Sequence, residues 1–549
     1  MLRTILVPAL FLLFVTCSLR AADEAALGKA MLDLNSEEFA GKKAAIDLIA
    51  GAGDMRMIAF LEEYSRGSVY IWNGKIVVSK ETKSGPDGTK LGVLLDPFNL
   101  KPISENSAEA AVPMSALKAV DAGRRERNLV KDALAMLKLL DPNRDARLSA
   151  VIKCGDSGSE SNLPVLKKLL DAEKDPKVRL AIQEGIFLLT LIDPASKPDE
   201  RQTAIVKLGE VRSGRGLSKL KEMQAAEKDS AAKKALDTSI ASIEQWQAIT
   251  RGAGYIFSGI SLGSILVLMA LGLSIIFGLM GVINMAHGEL MMIGAYATFV
   301  VQKAFEAWFP PSAFNYYFIV AIPVSFIVAA FVGYLIELLV IRHLYGRPLE
   351  TLLATFGVSY ILTQLVRLNF GDNIAVNSPT WLQGGAEVVQ DLVLPYNRCF
   401  IIVFCGLCIS MMYLIMGKTK LGLLLRATTQ NRNMAASLGV PTRRIDGYTF
   451  ALGAGLAGLA GCALTQIGGV TPDMGQNYIV DSFMVVVTGG VGKLAGAIWA
   501  GLALGCLNKG FEPIFEAVWA KVLILVCVVL FIQWRPSGLF PAKGRLADV

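Results

Sequence analysis

The chain has 549 residues, more than one ordinary domain needs, and 53% of them are hydrophobic. Its formal net charge of +7 is placed unevenly, because residues 21–250 hold 34 basic and 34 acidic side chains and the whole excess lies elsewhere. No basic face for nucleic acid is therefore expected, and two histidines with eight scattered cysteines offer no metal-ligand spacing.

The first segment, MLRTILVPALFLLFVTCSLRAADEAA, joins Arg3 to an apolar run from Ile5 to Val15 and then to small polar residues. That run is too short to span a bilayer, so residues 1–21 read as a secretory signal peptide, an uncleaved anchor being the alternative. Residues 22–250 follow as a charged, helix-patterned domain, which the leader would place in the periplasm. Three segments share one template of spacings: Ala45, Ile46, Ile49, Ile58 and Leu61; Ala150, Val151, Cys154, Leu163 and Leu166; Ala204, Ile205, Leu208, Leu217 and Leu220. A small-plus-apolar face, a turn and a second apolar face make a two-helix unit that must stack to bury both sides. This resembles HEAT-type α-solenoid repeats. Asp141-Pro142 and Asp175-Pro176 are helix starts. A β insertion at 65–113 interrupts the pattern, with Asn73-Gly74 between two β-rich runs as a hairpin turn.

Beyond Trp246 the composition turns apolar. Lipid-length helices are expected near 255–278, 285–304, 317–340, 351–367, 399–416 and 446–467, then a broken segment at 480–507 and a last helix at 517–534. Residues 251–549 thus read as a polytopic helical membrane domain of about eight segments, and the fold class as mainly α. The broken segment is assigned to Gly489, Gly490 and Gly492, which end a stretch too short to cross and allow it to re-enter. With the soluble half outside, the inner connections hold Arg342 and Arg347, then Lys418, Lys420, Arg426, Arg432, Arg443 and Arg444, then Arg535, Lys543 and Arg545. The outer ones carry Asp372, Glu387 and Asp391, so charge bias and leader agree on orientation. Small residues at spacing four (Gly453, Ala457, Gly461; Gly492, Gly496, Ala500; Gly501, Gly505) call for close helix packing.

Two nucleotide-binding lookalikes fail. Gly453, Gly455 and Gly458 match G-x-G-x-x-G inside an apolar helix with no preceding strand, and Gly417-Lys418-Thr419 lacks the first Walker glycine, Met412 standing there. No ATPase site, cofactor or catalytic constellation is expected. The basic loop Leu421–Tyr448 is more suggestive: Arg426, Ala427, Arg432, Ala435 and Ala436 lead to Gly439, which stops a short helix, and Pro441 redirects the chain. Such an element suits docking on a cytoplasmic partner. The stretch GVINMAHGELMMIGAY (281–296) places Asn284, His287 and Glu289 at membrane depth, where polar groups line a path or bond one another at a turn. Both readings stay open. Gln364, Gln466, Thr465 and Thr488 are further pathway candidates.

The loop at 421–448 resembles the coupling loop of ABC importer permeases. The segments GLSIIFGLMGVINMAHGELMMIGAY (272–296), LLATFGVSYILTQLVRLNFG (352–371) and FMVVVTGGVGKLAGAIWAG (483–501) resemble signature blocks of the branched-chain amino acid and urea permease family. A leader, a long helical extension and VNSPTWLQGG (376–385) are similar to the urea subgroup. The resemblance implies an ATP-driven importer in the bacterial inner membrane. Its other components would be a second permease, two cytoplasmic ATPase subunits that bind the ATP, and a periplasmic solute-binding protein. It implies urea as cargo, with a branched-chain amino acid, or a self-sufficient channel or secondary transporter, as the alternatives.

Overall fold

The computed structural model describes residues 26–540 apart from 37, 53, 81, 85–89, 106–107, 110, 140, 157–161, 194–195 and 228. The expected leader at 1–21 lies outside the described residues. The chain is mainly helical and divides into two compact units, Met1–Trp246 and Gln247–Val549.

In the first unit α1 (26–33), α2 (Phe39–Gly51) and α3 (Arg56–Arg66) precede the β insertion. After it come α4 (Arg124–Lys138), α5 (Arg144–Asp156), α6 (Asn162–Ala172), α7 (Pro176–Ile192), α8 (Pro198–Val211) and α9 (Leu217–Ala226). The sequence template falls on the pairs α2–α3, α5–α6 and α8–α9, and the same positions are buried each time. Ala45, Ile46, Ile49 and Leu61 match Ala150, Val151, Cys154 and Leu166, and match Ala204, Ile205, Leu208 and Leu220. A third helix follows each pair with a recurring buried face: Val130, Ala133 and Leu137 on α4; Ile182, Gly185 and Leu189 on α7; Leu236, Ser239 and Ile243 at the start of α10 (Ser230–Met280). The crossings recur too. A Cβ on Gly155 would lie 2.8 Å from Gly185 Cα, and one on Gly209 would lie 2.7 Å from Ser239 Cβ. Three hydrophobic clusters follow the triplets, the first drawing also on α1 and the β insertion and the third on Leu188 and Leu191 of α7. Asp175 caps α7 as its sequence suggests, accepting from the N–H groups of Lys177 at 2.9 Å and Val178 at 3.2 Å.

The insertion is larger than the expected 65–113. Strands β1 (Val69–Trp72) and β2 (Lys75–Val78) pair around Asn73 and Gly74, both at positive φ as a two-residue hairpin requires. The free edge of β1 is covered by residues 118–119, so the chain returns to this sheet before α4 starts. A second antiparallel sheet is built from 82–84, 90–93 and 111–113.

The second unit continues along α10, inside which the division of the chain falls. It goes on through α11 (His287–Trp308), α12 (Tyr317–Leu339), α13 (Pro348–Phe370), α14 (Tyr396–Lys418), α15 (Lys420–Gln430), α16 (Arg432–Ser437), α17 (Thr442–Leu464), α18 (Met474–Gly489) and α19 (Leu494–Trp534). Among the described residues six helices are long and apolar enough to cross a membrane, fewer than the eight segments expected. The difference comes from α11, which falls short, and from α19, a single span that covers parts of the expected broken segment and the last helix, while α18 holds the rest of the broken segment. In α11 the polar residues His287 and Glu289 at one end and Gln302, Lys303 and Glu306 at the other leave only a short apolar stretch between them. At 16 residues, α18 is about 24 Å long. It starts before the expected 480, and α19 is a continuous assignment across a sharp break at Glu516 (φ 61, ψ 162), near the expected start of the last helix.

The apolar windows of α10 and α17 are 83% buried, whereas those of α12, α13, α14 and α19 are 17–28% buried. Hence α10 and α17 form the centre with α11 and α18, and the rest form a rim whose outer faces suit lipid or a partner subunit. Glycines set the closest approaches. A Cβ on Gly294 would lie 2.2 Å from Gly458 O, and one on Gly461 would meet Met291 O. Gly505 likewise packs on Gly263 of α10. No larger residue fits these seams without parting the helices.

Candidate functional site

Asn284, His287 and Glu289 are all at most 1% exposed. After α10 ends at Met280, Gly281 takes φ +64 and the chain doubles back instead of leaving the bundle. His287 Nε2 then lies 3.1 Å from Met269 O, eleven residues before the end of α10, which is about 16 Å along its axis. A carbonyl can only accept, so Nε2 carries the proton and Nδ1 is an acceptor; Nδ1 has no partner. Asn284 Oδ1 accepts the Ala286 N–H at 3.1 Å, shaping the turn, while its Nδ2 is unpartnered. The Met285 N–H donates to Thr355 Oγ1 on α13 at 3.2 Å. Glu289 differs. Neither carboxylate oxygen has a hydrogen bond of good geometry, although the Ser359 hydroxyl and its own backbone N–H stand close enough to interact with it. Asn284 and His287 thus have structural bonds, while Glu289 is a buried acceptor left open.

The other pathway candidates scatter. Gln364 lies on the exposed face of α13, and the buried residue there is its neighbour Thr363. Gln466 and Thr465 are buried at the far end of α17, where Gln466 Nε2 donates to Thr465 Oγ1 at 3.1 Å and Gln466 O accepts from Asn397 at 2.8 Å. Thr488 stands beside the break after α18, its hydroxyl without a partner. There Gly490 and Gly492 take φ +100 and +76, and Gly489 packs on Gly496, so α18 and α19 fold back on each other. The C-terminal segment caps this turn: the Leu539 N–H donates to Thr488 O at 2.9 Å and the Phe540 N–H to Gly489 O at 3.2 Å. A cleft of about 360 Å³ joins Ser274 and Gly278 of α10 to Arg426 and Gln430 of α15 and to Gly492.

The basic loop forms a knuckle. Asn431 caps α16 by accepting the Met434 N–H at 3.1 Å. Gly439, at φ +86, ends it with paired bonds from Gly439 N to Ala436 O and from Val440 N to Ala435 O, both 3.0 Å. Ala435 is buried; Ala436, Pro441, Met434 and Leu438 are exposed, the last two at 58% and 78%. Arg426 and Ala427 lie on α15, where Arg426 Nε donates to Gly422 O at 3.3 Å. Arg432 anchors the knuckle, paired with Asp446 at 2.5 Å and lying 4.0 Å over the Tyr345 ring. Its guanidinium also donates to Tyr345 Oη, and Tyr345 in turn donates to Met280 O at 3.2 Å. Burial raises the Tyr345 phenol above its ordinary range, against the pull of Arg432, so the proton it donates is retained. The knuckle is thereby connected to the turn that carries the buried polar residues.

Sequence reasoning passed over one feature here. Thr351, Thr355, Ser359 and Thr363 are each at most 3% exposed on a helix otherwise open on most sides. Their spacing of four was the available signal, since it places them on one face. Among the described residues no group of three or more His, Cys, Asp or Glu could hold a metal ion.

Residues 255–532 match the protein family described as "Branched-chain amino acid transport system / permease component". The chain is 30% identical over 288 residues to the high-affinity branched-chain amino acid transport system permease protein BraD of Pseudomonas aeruginosa, covering 51% of this chain and 93% of that one. It is 29% identical over 295 residues to the permease protein LivH of the corresponding system in Escherichia coli, covering 52% and 93%. It is 25% identical over 308 residues to the permease protein LivM of Escherichia coli, covering 51% and 69%. No solved structure matches the chain significantly.

Proposed function

The chain belongs to the family of permease components of branched-chain amino acid transport systems, and on that premise we propose that it is one of two permeases of an ATP-driven importer for those amino acids. The observation that carries this reading is the match across 255–532, with nearly the whole length of BraD and LivH aligned. The relatives named here are for branched-chain amino acids, which favours that cargo over the urea expected from the sequence blocks. Likeness to both LivH and LivM supports a second permease of the same family as partner, the LivH likeness being the fuller.

The remaining machine follows from the residues. One of two cytoplasmic ATPase subunits would dock on the α16 knuckle, whose exposed Met434 and Leu438 form an apolar tip on a rigid, doubly capped element. Their closure would push this knuckle, and Arg432 and Tyr345 would pass the displacement to Met280. The chain sits in the bacterial inner membrane with residues 22–250 in the periplasm, where their stacked helices offer a surface to a solute-binding protein. On this reading the chain is the conduit and the ATP is held by the partner subunits.

Uptake of radiolabelled leucine and of urea, in a strain lacking its own carriers, tests the reading with the ATPase genes intact or disrupted. Leucine uptake that disappears with the ATPase genes is expected. Urea uptake without leucine uptake would return the cargo to urea, and uptake of either solute without the ATPases would replace the importer by a channel.

A further inference from the structure

The hydroxyl-bearing face of α13 lies along α11 in register. Met285 N bonds Thr355, Glu289 stands at Ser359, and the Tyr296 ring lies 5.1 Å from that of Phe370. Four residues on one helix thus answer four on the other, and Thr363 falls between Ser359 and the Tyr296 level. The lower part of this seam is satisfied: Thr351 and Thr355 bond backbone carbonyls. The middle is not. Glu289 is 1% exposed, Thr363 and Tyr296 are each 3% exposed, and the carboxylate and both hydroxyls lack hydrogen-bond partners. Three buried polar groups without partners in one seam are costly unless something polar visits it.

The seam is closed at its other end by charge. Arg367, one turn beyond Thr363, donates to both Asp473 oxygens at 2.8 and 2.9 Å and pairs with Asp372 at 3.0 Å. Asp473 immediately precedes α18, and Gly475 on that helix packs on Gly288 beside Glu289. These three side chains are 35%, 55% and 83% exposed, so the cluster is open on the side away from the seam. From Thr351 to Arg367 the face runs about 24 Å, most of a ~30 Å hydrocarbon layer.

We propose that the α11–α13 seam is the solute's route through this chain, with Glu289 the counter-charge for an ammonium group and the Arg367–Asp473–Asp372 cluster the outer gate. This rests on the importer reading and specifies its cargo as a zwitterion. An amino acid carries a carboxylate to replace Asp473 on Arg367 and an ammonium to occupy the released aspartate, so it can part the cluster without stranding a charge. It then offers N–H donors to Glu289, whose acceptors are open, while Ser359, Thr363 and Tyr296 bond its polar end. A neutral solute such as urea can do the second but not the first.

The test uses the whole importer in proteoliposomes, with reactive native cysteines of this chain replaced. Thr363→Cys, on the seam, and Leu365→Cys, on the exposed face of α13, are treated from the outer side with a membrane-impermeant thiol reagent. The route predicts that Thr363→Cys reacts, reacts severalfold faster when Arg367→Gln opens the cluster, and is protected by leucine. Leu365→Cys stays unreactive. Glu289→Gln is expected to lower leucine uptake about tenfold or more at unchanged chain abundance, with Glu289→Asp recovering part of it. An unreactive Thr363→Cys in both gate backgrounds overturns the route, as does wild-type uptake by Glu289→Gln. Labelling reads water access whatever is carried, so a chain that labels as expected yet moves no leucine sinks the cargo reading and leaves the route standing.

Discussion

Tyr345 joins two parts of the membrane unit through one oxygen, accepting from Arg432 of the knuckle and donating to Met280 O at the end of α10. Its ring separately carries the Arg432 guanidinium 4.0 Å above it. Tyr345→Phe therefore removes both hydrogen bonds while keeping the ring contact and the Arg432–Asp446 pair, so the knuckle itself stays anchored. Each lost bond is worth about 1 kcal/mol in net stability, too little to unfold the bundle. The expected outcome is normal assembly and ATP hydrolysis with less leucine moved per ATP. Measuring both rates on the reconstituted importer checks this. A variant with unchanged stoichiometry shows that the push reaches α10 by another route. The same scale explains why Gln364 and Thr363 behave differently: one residue along a helix turns the side chain by about 100°, from the exposed face to the buried one.

At the scale of elements, α16 is six residues long and has almost no stability of its own, so its two caps define it. Gly439 holds φ +86 with open space around its Cα, which makes the backbone angle the whole constraint. Gly439→Ala should cost about 1 kcal/mol or more in left-handed strain, enough to fray the last turn and lower ATPase-dependent uptake severalfold. Gly417→Ala serves as the control, since Gly417 is helical in α14 and nothing stands within 4 Å of an added Cβ. Equal uptake by the two variants removes the knuckle from the coupling mechanism. The Asn431 cap, equally local, was not picked out, whereas the Gly439 stop was legible in the sequence because it acts within a few residues of itself. The Asn73-Gly74 hairpin and the Asp175 cap were legible for the same reason. The buried stripe of α13 was not, because Thr351 to Thr363 could equally face backbone, lipid or a neighbour until α11 is placed beside them. The same holds for α11 itself. Its composition suggested a span from 285, but only the return of the chain after Gly281 shows that His287 starts the helix alongside Met269. The repeat in the first unit sits between these cases, its pairs being visible as spacings, while the third helices were not read as part of it and in the first triplet the β insertion stands between the pair and α4.

For the whole molecule, orientation decides whether the knuckle can meet an ATPase. The connection that carries it holds Lys418, Lys420, Arg426, Arg432, Arg443 and Arg444, whereas 371–395 between α13 and α14 has acids and no lysine or arginine. Basic connections stay on the cytoplasmic side; the single passage of α14 then places 371–395 on the far side, and residues 22–250 share that side when α10, α11, α12 and α13 each cross. The C-terminal segment returns to the cytoplasmic side only if α18 and the first part of α19 dip in and return before the last helix crosses. The Gly489–Gly496 contact folds α18 and α19 back on each other, and the bonds from Leu539 and Phe540 bring the C-terminal segment back to the same break, which supports such a return. Protease added to intact spheroplasts should cut within residues 26–246 and spare 419–444, and should reach the latter only after the membrane is opened. Cleavage in the opposite order puts Met434 and Leu438 where no ATP is available, and the ATP-driven reading of this chain then fails whatever solute it carries.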